Sequence, residues 1–296
     1  MPASPDVAAP VLALRGVSKS YGSGASRLPV LDAVDFELAE GERVAIVGFS
    51  GSGKTTLLTI LAGLLAPDAG RVELGGAPAP PAGPERGVVF QSYALLPWLT
   101  VQANVQLAVD AVHPDWPRAA RRAQALRFVE LVGLAAARDK RPRELSGGMR
   151  QRVAVARALA TEPRILLLDE PLGALDALTR TTLQVEIARI LDAEQRSCVI
   201  VTNDVDEALL LADRIVPLSP GPGAQLRPAF RVGLERPRDR AALNHDPGFK
   251  KLRNEVTSYL LELAARRAGA APGAPRTPLP DLAPIQLPPP RGGLFS

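Results

Sequence analysis

Residues 48–56 read Gly-Phe-Ser-Gly-Ser-Gly-Lys-Thr-Thr. Gly48, Gly53, Lys54 and Thr55 hold the fixed positions of the pattern G-x-x-x-x-G-K-S/T. That spacing points to phosphate chemistry. The glycines let backbone N–H groups close around phosphate oxygens, and a helix starting there adds its partial positive charge. Phe49, Ser50, Gly51, Ser52 and Thr56 complete the loop and its exit. Lys54 is placed to reach the β- and γ-phosphates, and the Thr55 hydroxyl to hold magnesium. The alternative is a glycine-rich turn with a stray lysine, and the flanks decide between the two. The apolar run Arg43 to Val47 reads as a buried strand leading in, and Thr55 to Leu65 as a helix leading out and stopping before Pro67. Strand, loop and helix in that order are the context the motif needs.

A phosphate loop does not name a reaction. The run Ile165 to Pro171, ILLLDEP, supplies a second half. Its aliphatic strand ends in Asp169, at the carboxyl edge of a sheet beside the loop, where magnesium is held directly or through water. Glu170 follows and can orient an attacking water for in-line transfer. Alone, the run would read better as a strand end with two solvated acids, and it is the phosphate loop at the expected separation that favours the functional reading. A third element is Leu145 to Arg152, LSGGMRQR. Ser146 can cap a helix, and Gly147 and Gly148 let an anion approach its first N–H groups. One chain has no obvious use for two such anion sites. A head-to-tail pair does, each chain's Ser146–Gly148 closing on the nucleotide held by the other.

Several elements must position these groups. Residues 11–16 and 30–37 read as strands, separated by a turn-rich loop, Ser20 to Ser26, that carries Tyr21. Arg71 to Gly76 reads as strand and turn, the following APAPPAGPE as a surface connection, and Gly87 to Phe90 as a short buried strand ending at Gln91. From Val101 to about Thr161 the pattern is helical, with helices at Arg118–Val132 and Gly147–Ala160. Arg164 to Leu168 is a continuous apolar strand inside a parallel sheet. A helix over Leu178–Ala193, a strand over Ser197–Thr202, a helix over Asp206–Ala212 and a strand over Ile215–Leu218 follow. The expected fold is α/β with an inserted helical subdomain at about 100–161. The domain reading is an N-terminal extension over 1–10, a nucleotide-binding unit over 11–235, a helical extension over 236–270 with a helix at Phe249–Ala264, and a Pro-rich tail over 271–296 that reads as disordered.

Bulk properties narrow the function classes. The 296 residues can bury a sizeable core. No apolar run approaches the ~18 residues of a membrane span, and no secretory signal is visible at the N-terminus. The single cysteine, Cys198, sits in an apolar run and reads as a small buried hydrophobe. A net charge of +4 without a basic stripe argues against nucleic acid as a partner, and Arg121-Arg122 and Arg266-Arg267 read as solvated helix faces.

Together, and in this order, the three motifs resemble the ATP-binding cassette of ABC transporters, over about residues 11–220. The resemblance implies a P-loop NTPase core, a parallel sheet with flanking helices and an antiparallel β edge, with ATP and magnesium as ligands. It also implies roles for residues that would not stand out alone. Tyr21 is similar to the aromatic that stacks on adenine, Gln91 to the glutamine that senses magnesium and γ-phosphate, and Asp176 to the aspartate that couples two cassettes in a dimer. The segment SYALLPWLTVQANV after Gln91, with Trp98, resembles the region that receives the coupling helix of a membrane permease subunit. The wording LLPWLTV, ELSGGMRQRV and LLLADRIVPLSPGPGA resembles importers of the nitrate/sulfonate/taurine group, nearest the nitrate-type members. The implied protein is a peripheral ATPase on the cytoplasmic face of the membrane. It works with a permease, a second cassette and, indirectly, an extracytoplasmic solute-binding protein, on nitrate or a related anion (nitrite, cyanate, sulfonate, taurine).

One position departs from the family. Where histidine usually contacts the γ-phosphate, this chain has Asn203. Its amide can donate one hydrogen bond to phosphate but cannot carry a proton. In one reading Glu170 and electrostatic positioning carry catalysis and Asn203 is an adequate anchor, which the intact remaining motifs favour. In another, the chain is a low-activity regulatory cassette paired with a catalytic paralogue. A cassette ATPase acting on nucleic acid without transport is a third alternative.

Overall fold

The computed structural model describes residues 9–173, 177–238, 240–243 and 245–267. Asp176, most of the expected N-terminal extension and the Pro-rich tail lie outside these residues.

Two β-hairpin-linked strands open the fold, β1 (Leu12–Tyr21) and β2 (Leu28–Leu38), followed by β3 (Arg43–Val47) and the helix α1 (Lys54–Leu61). Next come β4 (Ala69–Leu74), β5 (Ala77–Pro78) and β6 (Arg86–Val89), then the helices α2 (Val101–Val112), α3 (Arg118–Leu131) and α4 (Gly147–Leu159). β7 (Ile165–Asp169), α5 (Ala177–Glu194), β8 (Ser197–Thr202), α6 (Val205–Leu211), β9 (Arg214–Pro217) and β10 (Phe230–Arg231) complete the sheets. Two further helices, α7 (Arg240–Leu243) and α8 (Pro247–Arg267), close the described chain.

The strands form two sheets, an antiparallel one in the order β2-β1-β4-β5 and a second in the order β10-β9-β3-β8-β7-β6. Within the second, β9, β3, β8, β7 and β6 pair in parallel, and β10 joins the edge antiparallel. The parallel strands are apolar on both faces because both faces are covered. Ala45, Val47, Leu166, Leu168, Cys198 and Ile200 point into one core, shared with the helices of 101–160 and with α5, α6 and α8. Their alternates Val44, Ile46, Ile165, Leu167, Val199 and Val201 point into the other, under α1 and the antiparallel sheet. The period of two in a strand makes this division.

Two local expectations change. Tyr21 is the last residue of β1, paired with Leu28, and not part of the following loop. The helix after the phosphate loop ends at Leu61 and not at Leu65. The chain reverses there because Gly63, at φ 72°, sends the Leu64 N–H back to the Thr59 carbonyl at 3.0 Å, the six-to-one bond of a Schellman ending.

Candidate functional site

β3 delivers the phosphate loop and α1 carries it away. Gly53 sits at the N-cap of α1 with φ 95°, and a Cβ there would lie 2.8 Å from Val30 Cγ1. Both the backbone angle and the close approach of β2 require glycine. Lys54 is buried, and its ammonium donates to the carbonyls of Gly48 at 3.0 Å and Phe49 at 2.9 Å. The curved loop therefore holds the cation at its centre. Ser52 is also buried, with an Oγ that has no partner. Ser50, Gly51 and Thr55 are exposed on the outer side.

β7 runs beside β8 and ends at Asp169, which is buried at the carboxyl edge of the sheet. The Thr55 hydroxyl donates to Asp169 Oδ1 at 3.3 Å. Burial pushes the Asp169 carboxyl above the ordinary carboxylate range, with the neighbouring Glu170 charge adding to it, while Thr55 and Lys54 pull the other way. A divalent cation would relieve that burial cost, so hydroxyl and carboxylate fit a magnesium site in chemistry. Glu170 follows with φ 42°, an unusual angle for a non-glycine residue. Its N–H donates to the Val201 carbonyl at 2.8 Å, which pins the turn. Its two carboxylate oxygens meet Lys54 Nζ at 3.3 Å and Gln91 Nε2 at 3.2 Å.

Lys54, Thr55, Gln91, Asp169 and Glu170, distant in sequence, thus share one cluster at the ends of three parallel strands. Tyr21 lies at its rim, nearly half exposed, with its hydroxyl 3.5 Å from Thr56 Oγ1. Asn203 is exposed immediately after β8, and the preceding Thr202 carbonyl accepts from the Gly48 N–H at 3.4 Å. Its backbone therefore lies at the same edge.

Ser146, Gly147 and Gly148 are not part of that cluster; no hydrogen bond or ion pair among the described residues joins them to it. Ser146 is exposed and caps α4, its Oγ accepting from the Met149 N–H at 3.3 Å. A Cβ on Gly148 would meet Thr179 Cγ2 at 2.9 Å and Leu183 Cδ1 at 3.0 Å, so α5 presses directly on this turn. Further along α4, Arg157 donates to the carbonyls of Ala94 and Tyr93 at 2.5 and 3.0 Å. The helix that starts at the serine therefore grips the loop that follows Gln91.

Two residues that pattern reading does not single out shape the site. Asn104 is fully buried on α2 and bonds both the N–H and the carbonyl of Leu96, and the carbonyls of Leu99 and Thr100, at 2.8–3.2 Å. It folds the loop that leaves Trp98 66% exposed. Glu207, on α6, is buried against the end of β8 and accepts from the Thr202 hydroxyl at 2.5 Å. Desolvation raises its carboxyl to about 7, helped by the charges of Asp204 and Glu170. The only sequence signal for it is an acid among the apolar residues of VDEALLL.

Residues 31–173 match the family model described as ABC transporter. The chain is 45% identical over 249 residues to the bicarbonate transport ATP-binding protein CmpD of Synechocystis sp., a match covering 84% of this chain and 88% of that protein. The chain belongs to the ABC transporter ATP-binding cassettes. The cassette is also 48% identical over 250 residues to the bicarbonate transport ATP-binding protein CmpC of Synechococcus elongatus, and 48% identical over 237 residues to the nitrate import ATP-binding protein NrtC of the same organism. Those matches cover 84% and 80% of this chain but 38% and 36% of the relatives, so the cassette spans little more than a third of their length. Among solved structures, the cassette MJ0796, described as a dimeric post-hydrolysis state bound to ADP and Pi, aligns with a TM-score of 0.66 at 31% identity, over 76% of this chain and 100% of that one.

Proposed function

We propose that this cassette is the ATP-hydrolysing motor subunit of an importer for a small anion, with nitrate and bicarbonate the two leading solutes. The observation that carries the reading is the convergence of Lys54, Thr55, Gln91, Asp169 and Glu170 on one sheet edge. The relatives' names extend the expected solutes, since bicarbonate stands beside nitrate at equal similarity.

In this mechanism the loop amides and Lys54 hold the β- and γ-phosphates, and Tyr21 lies against the base. Thr55 and Asp169, with Gln91, would hold magnesium, which when bound neutralises charge on the transferring phosphoryl group. Glu170 accepts a proton from the attacking water, and its carboxylate already faces Lys54 and Gln91 at bonding distance. Asn203 donates to a terminal phosphate oxygen. Ser146, Gly147 and Gly148 come from a second cassette, because their turn is built for an anion but sits apart from this chain's own cluster. Asp176 couples the two halves. The unit over residues 11–235 is the cassette proper, its 100–161 insertion facing the permease through the loop that exposes Trp98. The protein then sits peripherally on the cytoplasmic face of the membrane, and the solute reaches the permease from an extracytoplasmic binding protein. No helix among the described residues is long and apolar enough to cross a membrane.

The test is steady-state phosphate release by the purified cassette, with and without magnesium, over a range of protein concentrations. Specific activity rising with concentration supports the shared site. Full turnover by a strict monomer would sink it. Uptake of labelled nitrate and bicarbonate, with the matching permease present, separates the solutes. A second reading, a regulatory cassette with little turnover of its own, rests on Asn203 alone. Activity restored to an inactive but folded protein by Asn203→His would favour it.

A further inference from the structure

A cavity of about 330 Å³ opens between the loop that follows β9 and the last turns of α8. Ser219, Gly223, Arg227, Tyr259, Arg266 and Arg267 line it. Three arginines from two separate elements line one space, and no acidic residue lines it. Like charges gathered this way repel unless an anion sits between them.

The usual reason for arginines at a helix end accounts for only part of this. Arg266 and Arg267 complement the negative C-terminal pole of α8. Arg227 belongs to no helix, and its Nε is buried without a partner. Among the described residues, neither Arg227 nor Arg267 has a carboxylate within ion-pair distance, and Arg266 has only Glu262 at 3.8 Å in a solvent-exposed pair, the kind of pair worth little. Ser219 is 8% exposed, and its Oγ accepts from the Gln225 N–H at 2.9 Å, which leaves its hydroxyl hydrogen to donate. The Tyr259 ring is held edge-on against Phe230, with centroids 5.5 Å apart. Planar guanidiniums beside hydroxyl donors match the geometry of a small oxyanion.

We propose that this cavity is a binding site for one small inorganic oxyanion, held by Arg227, Arg266 and Arg267 with Ser219. One wall of it is the segment after β9, which also packs against the phosphate loop. A Cβ on Gly221 would lie 3.6 Å from the Gly51 carbonyl, and one on Gly48 would lie 3.0 Å from the Leu218 carbonyl. The Ala224 N–H bonds Val30 of β2 at 2.9 Å, and Val30 packs against Gly53. Two sources could supply the ligand, phosphate released by hydrolysis or the solute anion itself. The binding chemistry is the same for both and does not depend on the transport reading.

The experiment is isothermal titration of the full chain with phosphate, nitrate and bicarbonate in separate arms. Ionic strength is held constant with chloride, and saturating MgADP blocks the phosphate loop. One saturable site is expected. Arg227→Gln with Arg267→Gln weakens it by about tenfold or more, as the loss of charged hydrogen bonds implies. The double control Arg71→Gln with Arg164→Gln, which removes the same charge from exposed surface pairs, leaves it unchanged. A response to phosphate alone identifies the hydrolysis product as ligand, and a response to nitrate or bicarbonate identifies the solute. An isotherm unaltered by the Arg227 and Arg267 changes, or no saturable binding in any arm, overturns the proposal. Arg267→Gln alone, at the exposed last residue of α8, keeps the test decisive should the double variant fail to fold.

Discussion

Glu170 meets two demands at one position. Its backbone occupies the left-handed region, and its carboxylate lies between Lys54 and Gln91. Replacing the carboxylate by an amide keeps the shape and removes the proton acceptor. Glu170→Gln should therefore lower steady-state phosphate release by about 10²–10⁴-fold while ATP binding persists, and light scattering should show an ATP-dependent dimer. Normal turnover by that variant would remove Glu170 from the role. Glu207 makes a different prediction. Its folded-state carboxyl is raised from 4.5 to about 7. A carboxyl raised on folding contributes most stability below its unfolded value and loses it as pH climbs to the folded one. Across pH 4.5 to 7 this single group should cost the fold up to roughly 3 kcal/mol. Thermal melts of Glu207→Gln should lack that slope, with the variant gaining on the parent protein as pH rises. Asp169 and Glu170 are legible in the sequence because a strand followed by two acids is a local pattern. Glu207 is not, because its chemistry comes from being buried against β8, and burial is not a property of seven neighbouring letters.

At the scale of the element, α4 joins three jobs on one rigid rod. Its first turn offers amides under Ser146, Gly148 lets α5 press against that turn, and Arg157 holds the loop after Gln91. Ser146→Ala removes one capping bond and should cost about 1 kcal/mol in a melting experiment, far too little to unfold the protein. If the amides serve a partner cassette, the same variant should lose most of its turnover yet bind ATP as before. Loss of ATP binding to the single chain would place Ser146 in the wrong site. Gly148→Ala forces Thr179 or Leu183 to move and should cost about 1–3 kcal/mol, read as a lowered melting temperature. The serine cap and the helix start were readable from SGG before a helix. That α5 packs too closely for a Cβ on Gly148 was not, since the two helices meet only through the packed core.

Across the whole molecule, the C-terminal helix ties α6, the helix that follows Asn203, to the rest of the fold. α8 buries Phe249, Val256, Leu260 and Leu263, and Arg253 pairs with Asp206 on α6 at 3.1 Å. Arg238 caps the far end of α6, its Nη1 donating to the carbonyls of Leu209, Leu210 and Ala212 at 2.6–3.3 Å. α6 therefore has its start fixed by Asp204, its end by Arg238 and its flank by α8, directly after Asn203. Phe249→Ala should cost about 3–5 kcal/mol. If α8 unfolds by itself, the loss will appear as early amide exchange in α6 and α8 with the sheet still protected. Uniform exchange across the chain would show that the extension is one cooperative unit with the cassette.

By itself, the order of residues determined the strand, glycine loop and helix, the acidic strand end, the serine-capped turn and the alternation of sheet and helix. Each is a run of near neighbours whose spacing matches the period of the element it forms, so local sterics and hydrogen bonding suffice to read it. Only the tertiary structure decided that Glu170 meets both Lys54 and Gln91 at bonding distance, that α5 packs tightly on the serine turn, and that three arginines line one cavity. Those groups are brought together by parallel pairing and by burial of two cores. Such contacts between distant residues leave no mark in the letters on either side.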